Sequence, residues 1–387
     1  MPVGYVFSVA LMAGCVFCAL WAPGRPRLLA RMSFFFGLAV NELPFLAFVW
    51  LCGATGLLFA EGDADTPSAR ATIGLAAVTA ALLPVLGMRA VRARTVVAGA
   101  LDSGLGPGWC TALDGAALGR WHRRPPYPRL LIAPLRVRLR GVERIANIRY
   151  GPHRRGNLLD VYRSRSAPRD APILVYFHGG GYFSGRKNRE ARPLLYRLAS
   201  QGWVCVSANY RLRPGADFLD HLVDAKRAIA WAHEHGGRYG ADTSRVFAAG
   251  SSAGAHLVSI SALTSGDPAF QPGFEDADTS LSAAICLYGF YGHYYGMRPT
   301  DEPASSPLDY LRPDAPPFFV AHGDNDTYVP VGGARNFVTR LRSTSDSPVV
   351  YAELPGAQHA FDLFRSIRYE AVVNGVDAFV GWVNARR

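Results

Sequence analysis

The sequence predicts an α/β catalytic domain, a mostly parallel sheet flanked by helices, preceded by an N-terminal helical membrane module. Three observations carry this reading. Long apolar segments dominate the first 95 residues, short β-branched runs alternate with helical periodicity from about Val142 onward, and a serine flanked by glycines falls where one such run meets a helix. The expected organisation is a module with about three transmembrane helices over residues 1–95, an Arg/Pro/Gly-rich connector or cap over 96–141, and a catalytic domain over 142–387.

A helix needs about 20 apolar residues to cross a bilayer. Residues 4–22 carry no charge, and 32–60 hold Asn41 and Glu42 as their strongly polar positions. Within the second stretch the crossing is expected over 43–60, with 32–40 shallow or tilted. Residues 71–88, rich in alanine, form the third and weakest candidate. The first connection holds Arg25, Arg27 and Arg31, the second Glu61, Asp63 and Asp65, and the third flank Arg89, Arg92 and Arg94. Positive charge stays cytoplasmic, so the expected topology is multi-pass with the catalytic domain on the cytoplasmic side.

The 387 residues carry a formal net charge of +11, almost all of it arginine, with Lys187 and Lys226 as the lysines. Arginines crowd between Arg120 and Arg155, where Glu143 is the one acidic residue. A nucleic-acid surface would use such a run. Its position after apparent spans favours anionic lipid headgroups over nucleic acid, and a plain solvated basic linker stands as an equal alternative. Pro125-Pro126-Tyr127-Pro128 forbids a continuous helix through that region. The six cysteines show no spacing for a disulfide framework or a zinc site, and Cys15 and Cys18 read as packing residues of a span.

In the last two thirds, strands are expected over 144–150, 158–162, 173–177, 203–209, 246–249, 283–288, 317–321 and 349–353. Helices are expected over 223–234, 253–263, 331–341 and 368–383. Gly250-Ser251-Ser252-Ala253-Gly254 sits at the turn from strand to helix. There small neighbours let the backbone fold tightly around an exposed hydroxyl. His178-Gly179-Gly180-Gly181 directly follows the strand at 173–177, and consecutive glycines bring bare N–H groups close to a substrate. It has neither a Walker lysine nor a G-x-G-x-x-G spacing, which argues against a phosphate loop.

A serine nucleophile needs a base, and the base an orienting acid. His256, His293, His322 and His359 follow Ser252. His359, on the loop after the last strand, is the favoured base. Asp326 in His322-Gly323-Asp324-Asn325-Asp326 is the favoured acid, with Asp324 as the alternate.

These residues resemble the hormone-sensitive-lipase-like and feruloyl-esterase-like carboxylesterases of the α/β-hydrolase fold, over roughly 142–387. Further marks are Leu159-Asp160-Val161-Tyr162, Asn209-Tyr210-Arg211-Leu212, Asp224-Ala225 and His359-Ala360-Phe361. The N-terminal module is similar to that of actinobacterial membrane-associated esterases and of prenylcysteine methylesterases. The resemblance implies a cofactor-independent, metal-free serine hydrolase that cleaves carboxylic esters through an acyl-enzyme. It implies Ser252, Asp326 and His359 as triad, the N–H groups of Gly180, Gly181 and Ala253 as oxyanion donors, and His178 as a structural residue. The expected partners are a small or lipid-like ester and an anionic membrane, and no nucleic acid. The Tyr-rich loop 288–295 and Ser305-Ser306-Pro307 are expected to line the pocket. An amidase or formamidase, a prenylcysteine methylesterase, and an inactive membrane scaffold on the same fold are the alternatives.

Overall fold

The computed structural model describes residues 3–122, 127–134, 137–167 and 169–386. The expected break at Pro125-Pro126 and the arginines Arg123, Arg124 and Arg136 lie outside the described residues.

The N-terminal part is helical: α1 (Val3–Trp21), α2 (Arg27–Glu42), α3 (Pro44–Ala60) and α4 (Pro67–Leu105). α1 and α4 are each long and apolar enough to cross a membrane, while α2 and α3 pass that test only as one broken pair, bent by 88°. The bend falls at Leu43, where Pro44 opens the new helix, and Pro is favoured at a first helical position. The shallow segment expected over 32–40 is thus a separate helix. Val9, Val16, Leu51, Leu58, Leu83 and Leu86 pack α1, α3 and α4 together.

The connector expected from residue 96 does not begin there. α4 continues unbroken through Arg94 and Thr95 to Leu105, 39 residues in all, or about 58 Å at 1.5 Å per residue. Ala93, Val97, Ala100 and Leu101 lie on one face of its second half and are buried in the core of the catalytic domain. Two short helices, α5 (Gly115–His122) and α6 (Tyr127–Ile132), then lead to the sheet.

The catalytic domain alternates strand and helix. Its elements are β1 (Val142–Arg149), β2 (Leu158–Ser164), β3 (Ala171–Phe177), α7 (Arg192–Ser200), β4 (Val204–Ala208), α8 (Phe218–His235), β5 (Ala241–Ser251), α9 (Ala253–Leu263), β6 (Ala283–Leu287), β7 (Phe318–Gly323), α10 (Gly332–Thr344), β8 (Val349–Leu354) and α11 (Ile367–Asn384). Among the described residues they form one eight-stranded sheet in the order β1-β2-β4-β3-β5-β6-β7-β8. β1 and β2 are antiparallel at one edge, and from β4 to β8 every neighbouring pair is parallel.

Parallel strands buried on both faces read as continuous apolar runs. In β3, Leu174 and Tyr176 face the core built with α4, α7 and α11, while Ile173, Val175 and Phe177 face α8 and α9. α7 is a helix the sequence reading did not place. Its Leu194, Leu195 and Leu198 are fully buried.

α2 is fastened to this domain by a fully buried ion pair. Glu42 accepts from Arg368 Nη1 and from Ser366 Oγ, the latter at 2.6 Å. Removing one partner of such a pair strands a buried charge, at a cost of about 3–5 kcal/mol. Glu42→Ala should lower the stability of the detergent-solubilised full-length protein by that amount in denaturant unfolding, and Arg368→Met in the same chain should recover most of it.

Candidate active site

The site lies at the carboxyl ends of the parallel strands. β5 ends at Ser251 and α9 begins at Ala253, so Ser252 alone makes the turn, with φ 53° and ψ −116°. A non-glycine residue there stores roughly 1–3 kcal/mol of strain. The flanking glycines make the turn possible. A Cβ on Gly250 would lie 2.3 Å from the carbonyl of Gly254, and one on Gly254 would lie 2.1 Å from the Phe177 oxygen. Ser252 N–H donates to Leu287 O at 2.9 Å, which pins the turn to the end of β6.

His359 Nε2 lies 2.9 Å from Ser252 Oγ, and its Nδ1 lies 2.7 Å from Asp326 Oδ2. Asp326 Oδ1 accepts from the backbone N–H groups of Tyr328 and Val329 at 2.9 and 2.7 Å. Burial works to raise the Asp326 carboxyl, but the imidazoles of His359 and His322 outweigh it and hold the group well below the usual carboxylate range. Such a carboxylate stays ionised and can fix a tautomer and stabilise an imidazolium. The alternate acid, Asp324, does not reach His359. It accepts from Gly356 N–H at 2.6 Å and so holds the loop that carries the histidine.

The other histidines are occupied elsewhere. His256 Nδ1 lies 2.6 Å from the Tyr182 hydroxyl and its Nε2 3.0 Å from Gly292 O, and burial pushes the ring down to about 4. His293 sits beside Asp309 at 3.8 Å. His322 Nε2 lies 2.9 Å from Val329 O and 3.3 Å from Asp326 Oδ2, behind the acid rather than in front of the serine.

The glycine loop faces the serine. Gly180 and Gly181 have φ 111° and 60°, values open to glycine. The motifs around the loop are its scaffold. Tyr210 stacks on His178 at 4.5 Å and donates its hydroxyl to His178 O at 2.9 Å. His178 Nδ1 lies against Gly179 O, and burial pushes this ring down to about 4, fitting a structural role. Asn209 Oδ1 accepts from Lys187 N–H, Asp160 pairs with Lys187 and Arg144, and Arg211 pairs with Asp224.

Three contributors were not read from the sequence, and a fourth, Tyr288, was expected in the pocket lining rather than against the histidine. Gln358 accepts from both Thr327 N–H and His359 N–H, at 2.8 and 2.9 Å, and so ties the acid loop to the base loop. Glu190 accepts from Gly179 N–H at 2.5 Å, and burial beside Asp362 pushes its carboxyl up to about 7. Asp362 accepts from Ser251 Oγ at 2.7 Å and from the Tyr288 hydroxyl, bracing the residue before Ser252. Tyr288, at φ 39°, lays its ring 4.6 Å from that of His359. Proximity to the motifs was the only signal: Gln358 precedes His359, and Asp362 follows it by three positions.

A cleft of about 790 Å³ adjoins the glycine loop, lined by Phe183, Arg213, Phe218, Tyr294, Tyr295 and Met297 among others. The Arg213 guanidinium lies over the rings of Phe183 and Tyr294, at 4.9 and 5.5 Å. The expected lining loop is therefore split. Tyr294 and Tyr295 face the cleft, Tyr291 stacks on Phe337 in the core, and Tyr288 backs His359. Ser305 and Ser306 do not line it. They are buried and hold Tyr294 N–H and Tyr291 O.

Comparison with known proteins agrees with this fold. Residues 159–294 match the BD-FAE family model. A Mycobacterium tuberculosis protein named "Probable carboxylic ester hydrolase LipM" is 38% identical over 99% of this chain and 94% of its own length. Esterase LipQ of the same organism is 42% identical over 62% of this chain and 63% of its own. Among solved structures, esterase 2 of Thermogutta terrifontis is 25% identical with a TM-score of 0.53, covering 62% of this chain and 94% of that one. With a relative of that identity matched along nearly its whole length, and the sheet of an esterase beneath it, this chain belongs to the LipM-like carboxylic ester hydrolases of the α/β-hydrolase fold.

Proposed function

We propose that the chain is a membrane-bound serine esterase whose triad is Ser252, His359 and Asp326 and whose substrate is a lipid-like carboxylic ester. The observation that carries the reading is the pair of contacts of His359, Nε2 to Ser252 Oγ at 2.9 Å and Nδ1 to Asp326 Oδ2 at 2.7 Å. In the forward step His359 takes the hydroxyl proton as Ser252 Oγ bonds to the ester carbonyl carbon. The carbonyl oxygen gains negative charge and meets the N–H groups of Gly180, Gly181 and Ala253. Preorganised donors of this kind are each worth on the order of 3 kcal/mol. Collapse breaks the C–O bond, with the His359 proton passing to the leaving alcohol, and leaves an acyl-enzyme. Water, deprotonated by His359, then releases the acid and restores Ser252.

The membrane part of the reading rests on the two long apolar helices and on the arginines between them. α1 and α4 are each long and apolar enough to cross a bilayer. The short α1–α2 connection and the start of α2 carry Arg25, Arg27 and Arg31, while the α3–α4 connection carries Glu61, Asp63 and Asp65. By the positive-inside rule the first connection is cytoplasmic. The catalytic domain packs at that same end of the helices, through α2 and the second half of α4.

Ser252→Ala should abolish hydrolysis of p-nitrophenyl esters and labelling by a fluorophosphonate, and retained turnover would refute the nucleophile. A panel that adds an anilide, a formamide and a prenylcysteine methyl ester tests the rival substrates of the same serine. Asp326→Asn should lower kcat by about ten-thousand-fold through loss of the correct imidazole tautomer. Asp324→Asn, which weakens one backbone hydrogen bond, should cost no more than about tenfold. The full-length protein should remain with the membrane pellet through an alkaline carbonate wash, and release into the supernatant would contradict the spans.

A further inference from the structure

α2 is apolar on two faces. The inner face buries Ala30, Gly37, Leu38 and Val40 and reaches the catalytic loops three times. Ala30 O accepts from Thr327 Oγ1 at 2.8 Å, next to the acid. The Phe34 ring lies 5.3 Å from that of Tyr328 and stands edge-on 6.0 Å from that of His359. Asn41 Nδ2 donates at 2.8 Å to Gly356 O, three residues before His359.

The outer face is also apolar and is bare. Leu28 is 68% exposed, Phe35 69%, Phe36 43% and Met32 40%. These positions follow helical spacing and form one stripe. A contiguous stripe of large apolar side chains in water marks an interaction surface. Arg25, Arg27 and Arg31 are exposed at the same end.

The occupant follows from the angle and the charge. α2 meets α3 at 88°. With α3 along a bilayer normal, α2 lies in the membrane plane. An in-plane helix with apolar side chains on the lipid side and arginines at its margin has the composition of an interfacial helix on anionic lipid. α3 likewise carries exposed apolar side chains, among them Phe48, Val49 and Trp50, as a helix in lipid would.

We propose that α2 is an interfacial helix whose outer face rests among anionic lipid headgroups while Phe34 on its inner side forms a wall of the active site, so that esters reach Ser252 from the membrane surface. The proposal rests on the esterase reading above and names its substrate class, an ester partitioned into lipid. Phe34 is then a specificity-determining residue, and Asn41 is a positioning residue that acts through the loop of His359.

The test uses full-length protein in vesicles of phosphatidylcholine and phosphatidylglycerol, with p-nitrophenyl palmitate in the bilayer and p-nitrophenyl butyrate in water. Wild-type turnover of butyrate and labelling by a soluble fluorophosphonate establish the esterase separately, and their absence is a failure of that reading alone. Met32→Asp and Phe35→Asp, each on the outer face, should lower the palmitate-to-butyrate ratio by about tenfold, the scale of withdrawing one large apolar side chain from lipid. The drop should vanish when both substrates are presented in detergent micelles. Phe34→Ala should change the same ratio in micelles as well, because its effect lies within the site. A ratio unchanged in variants that still take the label overturns the proposal. So does a drop that persists in micelles and accompanies dissociation of a dimer, which would assign the stripe to a second copy of the chain.

Discussion

The close approach of bare backbone at the carboxyl end of the sheet is the constraint on which the site depends. β3, β5 and the start of α9 converge so tightly that a methyl group on Gly254 would overlap the carbonyl of Phe177. That convergence holds Ser252 in a conformation its side chain disfavours, and the serine does not relax because its own N–H and the preceding side chain are locked. Ser252 N–H is bound to Leu287 O, and Ser251 Oγ is bound to Asp362 and receives the Tyr176 hydroxyl at 2.9 Å. The same approach brings the glycine loop after β3 over Ser252, because the loop begins where Phe177 ends. The strained serine turn and the glycine loop facing it thus follow from one packing arrangement.

Behind this arrangement sits an unusual concentration of buried acid. Glu190 holds the glycine loop and Asp362 holds the serine turn, and burial raises both carboxyls, with the charge of Asp362 adding to the rise at Glu190. A raised carboxyl favours its protonated form in the folded state, so the native chain keeps that proton to higher pH than the unfolded chain does. The contribution of Glu190 therefore falls as pH rises from its ordinary 4.5 toward about 7. Asp326 runs the other way: its contribution is present above the ordinary carboxylate range and is lost only in strong acid. The two carboxyls thus answer to pH in opposite senses.

What could be read from the sequence was chemistry in chain order. A glycine-flanked serine, a glycine run after a strand, an acid at one strand end and a histidine after the last strand are local patterns, and their order limits the partners. Core strands were equally visible as short β-branched runs. The reading failed where local composition and tertiary role part company. Residues 96–105 were grouped with the Gly/Pro/Arg-rich, weakly periodic stretch that follows them, yet Ala93, Val97, Ala100 and Leu101 keep helical spacing and the helix continues into the core. The paired serines at 305–306 were visible as a polar motif, but their direction was not. The Thr327–Ala30 and Glu42–Arg368 contacts join positions about three hundred residues apart, beyond the reach of any window on the sequence.

These pieces converge on a covalent intermediate at one atom, Ser252 Oγ. Mixing the wild-type protein with a p-nitrophenyl ester, quenching with acid within the first turnover and mapping the peptides by mass would read that intermediate directly. The account predicts the acyl mass on the peptide holding Gly250–Gly254, with fragments that place it on Ser252. An acyl group on any other side chain, or hydrolysis with a pre-steady-state burst and no acyl group on Ser252, would contradict it.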